Sequence, residues 1–181
     1  MLKKILLISI VIITLTSCSS KVEFVPIEKI TDSEKNYSIE DFKQIGFKSS
    51  HEYSVEDLPG AVSAYFGFIK NSEKKPEDYE IRFYSTHSVA VQKGIKYADN
   101  ITGEDACIKK ECSLWAEDLN QRVHLEGGLH DTWNGTPDAK YQTYIIHGNF
   151  ILMCPGYNED DALHKCTVIV EKLDLKPVEQ S

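Results

Sequence analysis

The residues with the most chemistry to offer are five cysteines: Cys18 directly after an apolar stretch, and Cys107, Cys112, Cys154 and Cys166 in the second half. A thiol can attack a substrate, ligate a metal or pair as a disulfide, and its compartment decides which. His124 and Glu126 share a strand face, with His130 and Asp131 just beyond, which offers imidazole and carboxylate donors to a borderline metal. Isolated His and acidic residues in a polar loop are more commonly solvated surface, so no metal and no cofactor is expected. Glu104/Asp105, Glu117/Asp118 and Asp160/Asp161 are adjacent acids that could serve acid–base work on a sugar. Acids at helix starts more often complement the helix dipole. A G-x-S-x-G elbow and a phosphate-cradling G-x-x-x-x-G-K-[ST] loop are both absent from the sequence, which leaves no nucleophile to assign. Trp133, beside Asn134-Gly135, is the residue best suited to stack on a ligand. Arg82 and Tyr84 on the outward face of their strand, with Tyr144, would extend such a patch.

The elements that position these residues follow from periodicity. Val62, Ala64, Phe66 and Phe68 alternate with Ser63, Tyr65 and Gly67, the pattern of a half-buried strand. Asn71 to Asp78 forms a charged turn. Ile81 and Phe83 then point one way, while Glu80, Arg82 and Tyr84 point the other. Ser85 or Thr86 caps a helix with Val91, Ile95, Ala98 and Ile101 on one face, closed by Gly103. The order repeats: strands Tyr141–His147 and Phe150–Cys154 flank Gly148-Asn149, a dipeptide suited to a tight hairpin. A helix follows with Leu163, Cys166, Ile169, Val170 and Leu173 inward. The expected fold is α+β, an antiparallel sheet with helices on one face, built from two strand–strand–helix units. A short helix at Ile39–Ile45 takes Ser38 as its N-cap. Glu104 to Lys140, which holds both tryptophans, is the least regular stretch and the place to expect a working surface.

The N-terminus carries an address. Lys3 and Lys4 precede an apolar run from Ile5 to Leu15 of about 11 residues, roughly 16 Å as a helix against a hydrocarbon core of roughly 30 Å. That length reads as a signal peptide and not as a membrane span. Leu15-Thr16-Ser17-Cys18 resembles the lipobox of bacterial lipoproteins. The resemblance implies that residues 1–17 are removed, and that Cys18 receives a diacylglycerol and an acyl chain such as palmitate. Two or more chains anchor stably where one does not. Residues 18–38 then read as a tether, 39–175 as a single domain and 176–181 as a flexible tail. The compartment is the extracytoplasmic side of an envelope membrane, where disulfides persist. Three pairings are possible for the four remaining cysteines; the local one, Cys107–Cys112 and Cys154–Cys166, is expected, the second stapling helix to strand.

Tyr79–Tyr84 leading into a capped helix, Thr102-Gly103-Glu104-Asp105, Trp115, and Gly148-Asn149 before an apolar strand ending in Cys154, with Cys166 in the last helix, resemble a group of uncharacterised bacterial lipoproteins. The resemblance spans about Val62 to Leu173. It implies a fold and a location, with Cys154 and Cys166 in the shared pattern and Cys107 and Cys112 as additions. It implies no activity.

Charge narrows the partners. The 181 residues carry a net charge of −8, which loss of Lys3 and Lys4 deepens by two. Nucleic acid is excluded for want of a basic footprint, and a charge-steered partner would be cationic. The expectation is therefore a lipid-anchored module that binds a small ligand or envelope protein and does not catalyse. The alternative is a small envelope hydrolase acting on a cell-wall or sugar polymer.

Overall fold

Residues 24–125 and 137–175 are described by the structure, a computed structural model. Residues 1–17, Cys18, Trp133 and the tail 176–181 lie outside them. The elements in chain order are β1 (Ile30–Thr31), α1 (Ile39–Gln44), β2 (Lys48–Tyr53), β3 (Ala61–Lys70), β4 (Pro76–Tyr84), α2 (His87–Val89), a π-helical turn (Ala90–Gly94), α3 (Ile95–Asp99) and a 3₁₀ turn (Leu119–Arg122). There follow β5 (Val123–Leu125), β6 (Pro137–Ala139), β7 (Tyr141–His147), β8 (Phe150–Pro155) and α4 (Glu159–Asp174).

Six strands form one sheet in the order β1-β7-β8-β4-β3-β2, and β5 and β6 form a separate ribbon. The sheet is mixed and not wholly antiparallel, because β1 runs parallel to β7. The chain before Ser38 is thus partly built into the domain instead of hanging free as a tether. Ile27 N–H donates to Thr167 Oγ1 at 3.1 Å, and Tyr37 N–H donates to Asn149 Oδ1 at 2.6 Å. The Asn149 amide donates in turn to the carbonyls of Tyr37 and Tyr84. Gly148, at φ +54°, supplies the left-handed residue the β7–β8 turn needs.

Helices cover both faces of the sheet, which corrects the one-face expectation. On one face Ile81, Phe83, Ile145, Phe150 and Leu152 pack with Phe42 of α1 and Ile169, Val170 and Leu173 of α4. On the other, Tyr84, Tyr144, Ile146, Ile151 and Met153 pack beneath Ala90 and Ala98 of the α2–α3 segment and Ile101 of the turn that follows it. The central strands β4, β7 and β8 carry large side chains on both sides, so each side must be shielded from water. Gly94 lets the helical segment settle close: a Cβ there would run into Ile151 Cδ1 and stand 2.7 Å from the Tyr84 hydroxyl oxygen. Val62 departs from its expected inward position; the pairing of β3 with β4 shifts register between Ala61 and Ser63, and Val62 is exposed.

Both expected cysteine pairs are disulfides, Cys107–Cys112 and Cys154–Cys166. The second joins β8 to α4 beneath the sheet. The first closes a loop that Asn100 holds to the end of α3, receiving Cys107 N–H at its carbonyl and Leu114 N–H at its side-chain oxygen. Trp115 follows directly and is buried. Two disulfides fit an extracytoplasmic location. Among the described residues, no helix is long and apolar enough to cross a membrane.

Candidate functional site

Arg82 and Tyr84 do not face solvent. Strand pairing places Phe66 opposite Glu80 and Ala64 opposite Arg82, with Met153 and Ile151 opposite the same two residues on the other side. Glu80, Arg82 and Tyr84 therefore line up on the face covered by α3 and the Trp115 loop, and all three are buried. Tyr144 is buried too, its hydroxyl donating to Asp99 at 2.7 Å and its ring lying under Lys29. The expected outward patch of Arg82, Tyr84 and Tyr144 is thus interior, because a strand with neighbours on both edges and cover on both faces has no outward side. Its fourth member, Trp133, lies outside the described residues.

What the buried row builds is a charged centre. Arg82 Nε donates to Glu80 Oε1 at 2.7 Å, and Arg122 Nε donates to Glu80 Oε2 at 2.6 Å. All three side chains are fully buried. Burial alone would raise the Glu80 pKa, but the charges and hydrogen bonds of Arg122 and Arg82 outweigh it and hold the carboxyl below its ordinary value. Burial likewise pulls Arg122 down, and Glu80 more than restores it. Both guanidiniums lie over the Trp115 ring, at 4.8 Å for Arg82 and 4.2 Å for Arg122. Burial raises the phenols of Tyr53, Tyr84 and Tyr141 around this centre, so they remain neutral.

Arg122 links the centre to the surface. Its Nη1 donates to the carbonyls of Trp115 and Glu117, at 3.0 and 2.7 Å, so the loop sits on a fixed ionic post. Above it, the ligand atoms of His51, Glu117 and Asp118 lie within 4.8 Å of one another. His51 Nε2 is 2.8 Å from Asp118 Oδ2, and Glu117 Oε1 accepts from Ser54 N–H at 3.2 Å. The β2–β3 pairing shifts between Ser49 and His51, which aims the imidazole toward the loop. The His51 ring packs edge-on against Tyr53, itself edge-on to Trp115, so the surface cluster and the buried centre are continuous.

Of the other chemistry-bearing residues, His124 is exposed on β5, while Glu126, His130 and Asp131 lie outside the described residues. Asp161 serves the start of α4, its carboxylate accepting Tyr157 N–H and pairing with Lys165. A second titratable group was not foreseen: Tyr37, His147 and Asp174. Tyr37 Oη donates to Asp174 Oδ1 at 2.6 Å and lies 3.2 Å from His147 Nε2. Two signals for the main site were present in the sequence. Glu80 and Arg82, two residues apart on one strand face, are opposite charges in pairing position, and Glu117-Asp118 was visible as an acidic pair. Arg122 and His51 carried no such mark.

The domain is α+β, and its fold alone assigns no function. The chain belongs to the family of unknown function DUF6810, which matches residues 38–175. Neither a curated protein nor a solved structure matches it.

Proposed function

We propose that this chain is a lipid-anchored extracytoplasmic binding module, held at the membrane through Cys18, whose working surface is the rim formed by the end of β2 and the loop before Arg122. The convergence of His51, Glu117 and Asp118 on a loop fixed from below carries the reading. Binding sites work best when the groups that touch the partner are positioned beforehand by groups that do not. The rim offers acceptors, and the net charge of −8 favours a cationic partner, either a basic patch on an envelope protein or a small cationic ligand. The two disulfides support the compartment, and the lipobox supports the anchor.

Native mass spectrometry of the protein purified from its own membrane tests the reading, with the Glu117→Gln/Asp118→Asn variant in parallel. A co-purified mass on the wild-type chain that is lost from the variant is expected. A partner retained equally by both, or a wild-type chain that travels alone, contradicts it.

A further inference from the structure

The buried centre is not electrically balanced. Among the described residues it holds two guanidiniums and one carboxylate, all fully buried. The nearby acids are engaged elsewhere: Asp78 pairs with Lys140 at 2.8 Å, and Asp118 pairs with His51 at the surface. The phenols of Tyr53, Tyr84 and Tyr141 add no negative charge, since burial keeps them protonated. Among the described residues one positive charge is therefore left over in a buried region, and an uncompensated charge there is strongly destabilising.

The unused donors show where the surplus sits. Arg82 spends only Nε on Glu80; its Nη1 and Nη2 are buried without a hydrogen-bond partner among the described residues. Arg122, by contrast, uses Nε, Nη1 and Nη2 on Glu80 and two loop carbonyls. The hydroxyls of Tyr53, Tyr84 and Tyr141 are buried and make no hydrogen bond among the described residues either. A guanidinium has no acceptor to offer, whereas a phenolic hydroxyl both donates and accepts, so the group carries a surplus of donors and one positive charge. Unmade hydrogen bonds of this kind are rare in folded proteins and call for a guest.

We propose that the terminal nitrogens of Arg82 hold a small monovalent anion of the halide class, chloride being the common one, sealed beneath Trp115. A single negative charge balances the centre, where a divalent anion would reverse its sign. A water molecule accepts the same hydrogen bonds but leaves the charge unchanged, so water is the competing occupant. The site is closed, Arg82 being fully buried and Trp115 nearly so. The anion is thus a structural ligand whose loss loosens the post beneath the His51, Glu117 and Asp118 rim. The inference stands on the interior alone, independent of the anchor and of what the rim binds.

Chloride and gluconate salts at one ionic strength provide the test, since gluconate is too large for a sealed one-atom site. The wild-type urea midpoint is expected to rise with chloride concentration and not with gluconate, because a ligand that binds only the folded state stabilises it in proportion to the logarithm of its concentration. Arg82→Met is expected to lose that dependence. If the variant does not fold, crystals of the wild-type protein grown in bromide give the reading directly. An anomalous peak within about 3.5 Å of Arg82 Nη1 or Nη2 supports the proposal. A water there in the bromide crystals, or midpoints that follow ionic strength whatever the anion, overturns it.

Discussion

Among the described residues, Glu80 is the one carboxylate that pairs with the two buried guanidiniums, and its replacement shows how much of the fold rests on it. Glu80→Gln keeps the size and one acceptor but removes the charge, leaving Arg82 and Arg122 without the carboxylate they share. Removing one partner of a buried ionic group costs about 3–5 kcal/mol, well above the exposed pairs of this chain such as Lys43–Glu40. Urea unfolding of Glu80→Gln is expected to show a loss in that range, whereas Glu40→Gln is expected to leave the midpoint nearly unchanged. Equal small effects for both would mean that the centre is more hydrated than its burial indicates. The same residues show why this site was hard to read from sequence. Glu-x-Arg-x-Tyr on one side of a strand has the polarity of a solvated face, and only the neighbours on both edges of β4 reveal that the face is interior. Arg122 sits in an irregular stretch with no periodicity, 42 residues from Glu80, and nothing local announces that pairing.

At the scale of elements, strands and helices with a strong apolar period were legible. These were β3, β4, β7, β8, α4 and the helix after Thr86, together with α1 and its Ser38 N-cap. The edges were not. β2 reads Lys-Ser-Ser-His-Glu-Tyr and exposes all but Tyr53, so it has no apolar alternation to detect; its order comes from pairing with β3. β1 is two residues long and exists only because β7 offers a free edge. Near it lies a pH-sensitive joint, where Tyr37 from the N-terminal segment and Asp174 of α4 meet His147 of β7. Burial lowers the His147 pKa, ahead of the opposing pull of Asp174, while Lys35 and His87 also oppose its charge. Asp174 is held down by Tyr37, His147 and Lys35 against its own burial. The unfolded imidazole therefore binds a proton more readily than the folded one, and stability falls as pH drops below about 6.5 towards the folded value. Asp174 and Glu80 act lower: their contributions are present above about pH 4 and are lost as pH falls through their depressed values. Urea midpoints measured from pH 8 to 3 should show two descents, the first missing in His147→Gln. A flat profile between about pH 7 and 5.5 in the wild-type chain would contradict the neutral, buried state of that ring.

The whole molecule combines an acidic exterior, a doubly covered sheet and two disulfides in 181 residues. The bridges tie the elements where the sheet alone would not. Cys154–Cys166 locks α4 to β8, and Cys107–Cys112 tightens the loop that delivers Trp115 to the ionic centre. Such bridges persist only where thiols are not continuously reduced, which joins the interior chemistry to the proposed destination at a membrane's outer side. Intact mass analysis of the protein recovered from its own membrane bears on both at once. The mass expected is that of a chain beginning at Cys18, raised by a diacylglycerol and an acyl group, and unchanged by a thiol-alkylating reagent under denaturing conditions. A chain still beginning at Met1, without lipid and gaining the mass of alkylated cysteines, would contradict the anchor, the compartment and the bridges together.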